Sequence, residues 1–375
     1  MSDFASLLGK FQHSTESLSK RSGVDEEDKH NRKKKRAREI DAKDFSPVEK
    51  IFLLCPAGVQ TGGPEALHQL CDKLNRTTSI PAYMVYVVSE GNGVTFASRA
   101  KTPASYRNYQ SPIVNYDPLQ QGDPTHLMIW PECWTDEMLD YLNRQFSNPN
   151  QCAIWWLSVN NNTNRFKDWD RKDIFHMAQS KYATKHLLEN GATHILRMTE
   201  YISDPPEPDD STEREIDVLF NPLKGVHYTD EIRKRSGASI NFRPIGGGLD
   251  GRIRLAPQEV RSLLMQGKIY IDFGPHPGMD RLPREAALAG CVVVTNMEGA
   301  AMYNEDIPLP PKYKIRTFDP ETVHKLLKQI LNDYKSSSSD MEEYREWIRG
   351  QQTQMTKCVS NLVEEFATKR SKNAE

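Results

Sequence analysis

Bulky apolar residues fall into short runs bounded by polar, glycine or proline residues, and most runs are followed by a stretch of helical periodicity. Strands are predicted at Lys50 to Leu54, Ala82 to Val88, Thr125 to Trp130, Cys152 to Leu157, Ile174 to Gln179 and His194 to Met198. Helices are predicted at Pro64 to Leu74, Thr135 to Phe146 and Tyr182 to Glu189. A second series follows, with strands at Ile216 to Phe220, Ile240 to Pro244, Ile269 to Phe273, Cys291 to Thr295 and Lys314 to Phe318. Its helices are expected at Tyr228 to Arg235, Pro257 to Gln266, Pro283 to Ala289 and Glu321 to Tyr334. Strands alternating with helices define an α/β chain of doubly wound parallel sheets.

The Pro-rich acidic stretch Asp204 to Asp210 separates the two series. The expected organisation is a tail over 1–44, a first Rossmann-like domain over 45–205, a second over 206–335, and a C-terminal helix and tail over 336–375. Ser336 to Ser339 is expected to be a flexible hinge. Beyond it, Met341, Tyr344, Trp347, Ile348, Val359, Leu362, Val363 and Phe366 form one stripe of a long amphipathic helix, placed to cross back to the first domain.

Composition adds bounds. At 375 residues with a formal net charge of -2 and a pI near 6.6, the whole chain is not electrostatically built for nucleic acid or membrane. No run reaches the apolar length that crosses a bilayer, and the first thirty residues lack a secretory core. The six scattered cysteines form no C-x-x-C pair, which points to a reducing intracellular compartment, cytoplasmic or nuclear, and away from zinc. The tail is too polar to bury a core. Within it, Phe4, Leu7, Leu8 and Phe11 make a short amphipathic stripe suited to docking on a partner. Arg32 to Arg38, inside NRKKKRAR, reads as a nuclear-import signal recognised by importin, an anionic-lipid tether, a nucleic-acid contact or a solvated linker.

The chemistry concentrates in KIYIDFGPHPGMDRLPREAALAGCVVVTN, residues 268–296. It reads as strand, loop, helix and strand, one βαβ unit. Ligands settle beyond the carboxyl ends of parallel strands, where a helix N-terminus offers N–H groups to an anion. This loop adds His276, Asp280, Arg281 and Arg284, with Glu285 just inside the helix. Those charges are either solvated or form a phosphate and sugar site, and their concentration in one turn favours the site. After the first strand, Gly62 and Gly63 allow close approach to a ligand, Pro64 starts a helix, and Glu65 is either a helix-terminal charge or a cleft contact. The G-x-G-x-x-G fingerprint and the G-K-[ST] of a P-loop are absent.

On these motifs the chain resembles two-domain glycosyltransferases of the GT-B type, retaining enzymes related to the large family four and a group carrying D-F-G-x-H-P-G-x-D-R-x-P-R-E-A. The resemblance implies two Rossmann-like domains facing across a cleft, with a nucleotide-diphosphate sugar, expected to be a UDP-sugar, on the second and the acceptor on the first. It implies a retaining hexosyl transfer to a glycan, a protein or a modified DNA base, with no metal. In the donor site, Glu285 matches the ribose-binding carboxylate, Lys224 in NPLKG the diphosphate cation, with Arg281 or Arg243 as a second, and Gly62 and Gly63 the glycine loop. The usual E-x7-E pair would place a glutamate at Pro277, although Gly278 is retained, so the sugar contact passes to His276 or Asp280. Asn296 is expected to face the cleft. A silent GT-B-like binding module and a nucleotide-sugar epimerase are the competing readings.

Overall fold

The structure, a computed structural model, describes residues 47–368 except 91–92, 115, 119–121, 135–150, 162–165, 168, 172–173, 207–212 and 248–254. The predicted helix Thr135 to Phe146, the stripe Phe4 to Phe11 and the basic block Arg32 to Arg38 therefore lie outside the described residues.

The first sheet contains β1 (Lys50–Pro56), β2 (Ala82–Glu90), β3 (Gly93–Phe96), β4 (His126–Pro131), β5 (Gln151–Trp156), β6 (Ile174–Ala178) and β7 (Ile195–Arg197) in the order β3-β2-β1-β4-β5-β6-β7. All pairings are parallel except β2 with β3. That antiparallel edge strand was not expected, because GVTF is a short run that continues directly from β2. The continuous apolar strands follow from two covered faces. On β1, Ile51, Leu53 and Cys55 enter one core while Phe52 and Leu54 enter another on the opposite side. Helix α1 (Gly62–Thr77) covers the first face with Ala66, Leu67, Leu70, Cys71 and Leu74, and α2 (Lys181–Glu189) follows β6, capped by Ser180.

The second sheet holds β8 (Ile216–Phe220), β9 (Phe242–Pro244), β10 (Gly267–Asp272), β11 (Val292–Asn296) and β12 (Lys314–Ile315), ordered β12-β11-β10-β8-β9 and wholly parallel. Around it lie α3 (Val226–Ser236), α4 (Pro257–Gln266), α5 (Arg281–Leu288) and α6 (Pro320–Asn332). The order reverses between β8 and β10, so the loops after these two strands meet at the sheet's switch point.

Two elements close the chain. Residues expected to form a hinge are instead helical in α7 (Tyr334–Ser339). Tyr334 Oη and Ser338 Oγ both donate to Gly290 O, at 2.7 and 3.3 Å, so the serines are tied to the second domain. Helix α8 (Glu342–Thr368) then spans both halves. Tyr344 and Ile348 enter the core of the second sheet, whereas Met355, Cys358, Val359, Leu362 and Phe366 enter that of the first. Fully burying such side chains is worth roughly 1.5–3 kcal/mol each, so the crossing helix is part of both cores. Arg345 Nε fixes it to the end of α5 by donating to Ala287 O at 2.8 Å.

Candidate functional site

The loops after β8 and β10 touch because of Gly225. Its φ is +58°, and a Cβ there would stand 2.0 Å from Phe273 O. This contact swings Lys224 over the end of β10. Lys224 Nζ donates to Asp272 Oδ2 at 2.9 Å, Asp280 Oδ2 at 2.7 Å and His276 Nδ1 at 3.1 Å. His276 Nδ1 also lies 3.5 Å from Asp272 Oδ2 and 3.6 Å from Asp280 Oδ2, so it accepts from Lys224 in one tautomer and donates to the carboxylates in the other. Its Nε2 faces Asp272 O and Asn296 Oδ1, each at 3.2 Å, and Asn296 Oδ1 also accepts from Gly274 N at 3.1 Å. Asn296 Nδ2 is buried without a hydrogen-bond partner among the described residues.

Electrostatics bind this cluster. Burial disfavours the charge on Lys224, but Asp272 and Asp280 reverse the effect and raise its pKa. Burial likewise pushes the Asp280 carboxyl up, yet the adjoining His276 and Lys224 outweigh it and hold the group down at about 2. Asp272, His276 and Asp280 present three ligand atoms within 4.8 Å of one another, a set whose chemistry suits a metal ion. The cation among them here is Lys224.

A second cluster joins the two sheets. Arg281 Nη1 lies 3.1 Å from Glu65 Oε2 on α1 and 4.0 Å from Glu200 Oε2, while its Nε donates to Glu285 Oε1 at 3.3 Å. Burial opposes the charge on Arg281, and Glu200, Glu65 and Glu285 more than restore it, raising its pKa. Glu65 also accepts from Tyr109 Oη at 2.9 Å and from Ser203 Oγ. Arg284, fully buried, donates to Glu200 and to Met279 O at 2.7 Å.

The backbones meet as closely as the side chains. Val159 N donates to Pro277 O at 3.0 Å, and Met279 N to Gln179 Oε1 at 2.9 Å. Gly278 permits this approach, since a Cβ there would lie 2.1 Å from Leu157 O and 2.8 Å from Gln179 Oε1. In the turn between β11 and β12, Asp306 accepts from Lys181 N at 2.7 Å and Tyr182 N at 3.0 Å at the start of α2.

The structure thus brings Lys224, His276, Asp280 and Asn296 into one cluster, and Arg281, Glu65 and Glu285 into a second beside it. Gly62 lies against Arg281, whose Cδ is 2.6 Å from where a Cβ would stand, and Gly63 faces Leu157. Gly278 sits at the junction of the sheets. Arg243 is apart, exposed on edge strand β9 opposite Leu219, with no hydrogen bond or ion pair among the described residues. Sequence reading missed Asp272, Gln179 and Glu200. Asp272 left one trace, a carboxylate ending an otherwise apolar strand; the other two act on residues about a hundred positions away.

No protein-family model matches the chain, and no match is found among curated protein sequences. Solved structures do match in shape. Sucrose-phosphate synthase from Thermosynechococcus elongatus superposes with a TM-score of 0.57 at 10% identity, covering 85% of this chain and 99% of that one. HepE from Anabaena, solved with UDP and glucose, gives 0.55 at 12% identity, covering 84% and 100%. TarM from S. aureus, solved as a variant with fondaparinux, alpha-GlcNAc-glycerol and UDP, gives 0.51 at 14% identity; it covers 66% of this chain, which spans just over half, 57%, of TarM. The fold is that of GT-B glycosyltransferases: two Rossmann-like domains facing across a cleft, with a C-terminal helix crossing back to the first. No helix among the described residues is long and apolar enough to cross a membrane.

Proposed function

We propose that the chain is a glycosyltransferase that moves a sugar, with retention, from a nucleotide-diphosphate sugar to an acceptor hydroxyl or amide. The observation that carries this reading is the Lys224 cluster at the switch point of the second sheet, set beside Arg281, which reaches the α1 mouth of the first. The donor lies on the second domain, over 206–335, and the acceptor on the first, over 45–205. UDP is the expected nucleotide, in keeping with the UDP bound to HepE and TarM.

In such a transfer the bond between the anomeric carbon and the diphosphate oxygen breaks, and its electron pair leaves with the nucleotide. The acceptor atom bonds to the anomeric carbon, and its proton passes to the departing diphosphate oxygen. Negative charge grows on the departing diphosphate, so fixed cations beside it lower the barrier. Lys224 and Arg281 supply them. Glu285, on the first turn and a half of α5, takes the ribose, and the sugar contact of the absent glutamate of the E-x7-E pair passes to Asp280, which is 33% exposed; His276, buried with both ring nitrogens engaged, positions Lys224 and Asp280 instead of touching the sugar. Gly62, Gly63 and Glu65 close the opposite wall. On this reading the diphosphate replaces Asp280 at Lys224, because Asp280 is 33% exposed and Asp272 only 2%. Acceptors to test are a glycan, a protein and a modified DNA base.

One observation favours a second reading, a silent nucleotide-binding module. Lys224, Arg281 and Arg284 face five carboxylates, those of Asp272, Asp280, Glu65, Glu200 and Glu285, so each cation already has an anionic partner. A thermal-shift panel of UDP, GDP and ADP and their sugars separates the readings, followed by release of labelled sugar from the donor that binds. Transfer or slow hydrolysis supports the enzyme; tight binding with the donor left intact supports the silent module. No shift at millimolar nucleotide refutes both.

A further inference from the structure

Beside the cleft lies a cavity of about 560 Å³ that neither cluster uses, lined by Met297, Met302, Tyr303, Asn304, Glu305, Pro311, Lys314 and Arg316. It opens at the carboxyl ends of β11 and β12. Its wall is the segment after Asn296, whose Ala300 N donates to His276 O at 2.8 Å, so one face of this segment braces the Lys224 cluster and the other forms the cavity.

The cavity's charges are unbalanced. Lys314 is only 7% exposed, and among the described residues its ammonium makes one hydrogen bond, to Asn304 Oδ1 at 2.9 Å, where it has three donors. Arg316 is exposed and has no hydrogen bond or ion pair among the described residues. Of the two nearby carboxylates, Asp306 also acts on Lys314 but is shared with Lys181 N, Tyr182 N and Arg197, the last at 3.6 Å, so Glu305 is the one carboxylate in the cavity lining beside two cations. The remaining walls are the thioethers of Met297 and Met302, Pro311 and the Tyr303 ring. A ligand matching them has an anionic head and an apolar body.

We propose that this cavity is a second binding site, separate from the donor cleft, for a phosphate monoester with an apolar substituent, its phosphate held by Arg316 and Lys314. Planar guanidinium and ammonium donors suit the three phosphate oxygens. Burial lowers the Lys314 pKa to about 8 against the pull of Asp306 and Glu305. The site is therefore cationic below pH 8 and loses half of its fixed charge above it. The proposal is independent of sugar transfer.

The test is calorimetric titration of the full chain with inorganic phosphate, phenyl phosphate and phenol, with and without saturating UDP. Phenyl phosphate is expected to bind at least threefold more tightly than inorganic phosphate, and phenol not at all. R316Q, which removes an exposed unpartnered side chain, should weaken both phosphates roughly tenfold and leave UDP titration unchanged. K314M should do the same. Sulfate, whose charge is constant across the range, should bind more weakly at pH 9 than at pH 7. Affinities within twofold of wild type in both variants, phenol binding as well as phenyl phosphate, or phosphate displaced by UDP would each overturn the assignment.

Discussion

Replacing Lys224 by methionine keeps the aliphatic stem and removes the ammonium shared by Asp272 and Asp280. Asp280 has a folded pKa of about 2, below the unfolded value of roughly 3.9. Its contribution is thus present above the unfolded value and lost as pH falls through the folded one. The gap corresponds to roughly 2.6 kcal/mol, which solvent around a side chain one-third exposed reduces to about 1–2 kcal/mol. Asp272 is 2% exposed, and stripping the partner from a buried charge costs about 3–5 kcal/mol before relaxation. K224M should therefore lose about 3–5 kcal/mol at pH 7, or roughly 10 °C in Tm at the slope of a mid-sized domain. The gap to wild type should narrow below pH 4, as pH falls toward the range in which Asp280 protonates. K224M/D280N, with one uncompensated charge fewer, should regain about 1–2 kcal/mol. Urea unfolding at pH 7 and pH 3.5 reads all of these. A loss under about 1 kcal/mol, or a double variant no more stable than K224M, would refute the charge-compensated cluster.

Other perturbations test the cleft and the tail. E285Q should weaken UDP binding at least tenfold by calorimetry while moving Tm by under about 2 °C, since the residue is 25% exposed and its loss creates no cavity. G278A forces a Cβ onto Leu157 O at 2.1 Å, so the sheets must separate there; a loss of at least about 2 kcal/mol with faster proteolysis near residue 160 is expected. E200Q leaves the buried Arg284 without its anionic partner and should cost about 3 kcal/mol at neutral pH, measured by denaturant midpoint. If the basic block is an import signal, residues 1–44 fused to a fluorescent protein will carry it into the nucleus, and changing Lys33, Lys34, Lys35 and Arg36 to alanine will stop it.

The strands that build both sheets were legible because parallel strands covered on two faces read as unbroken apolar runs, and β1, β5 and β11 have little else in them. The βαβ unit around Asp272 to Glu285 was legible because glycine and proline punctuate its loop. What could not be read were long-range pairings. Lys224 was recognisable as a turn lysine, but nothing nearby in the chain reveals that Asp272 and Asp280 bracket it. Glu200 carries no local signal of its role, yet it is buried between two arginines some eighty positions further on. The serine run at 336–339 suggested a hinge on composition alone; Asp333 caps it as a helix by accepting from Ser336 N, and Gly290 O, about fifty positions earlier, accepts from Ser338.

Helix α8 also sets the order in which this protein can be completed during synthesis. The first sheet's core has all its strands once Arg197 has emerged, yet Met355, Cys358, Val359, Leu362 and Phe366 cover it only after the entire second sheet has been made. At ribosomal speeds of about 5–20 residues per second, that apolar face stays open for many seconds. The nascent first domain consequently leaves that face uncovered throughout synthesis of the second, and a chain arrested before α8 leaves two unfinished cores rather than one finished domain.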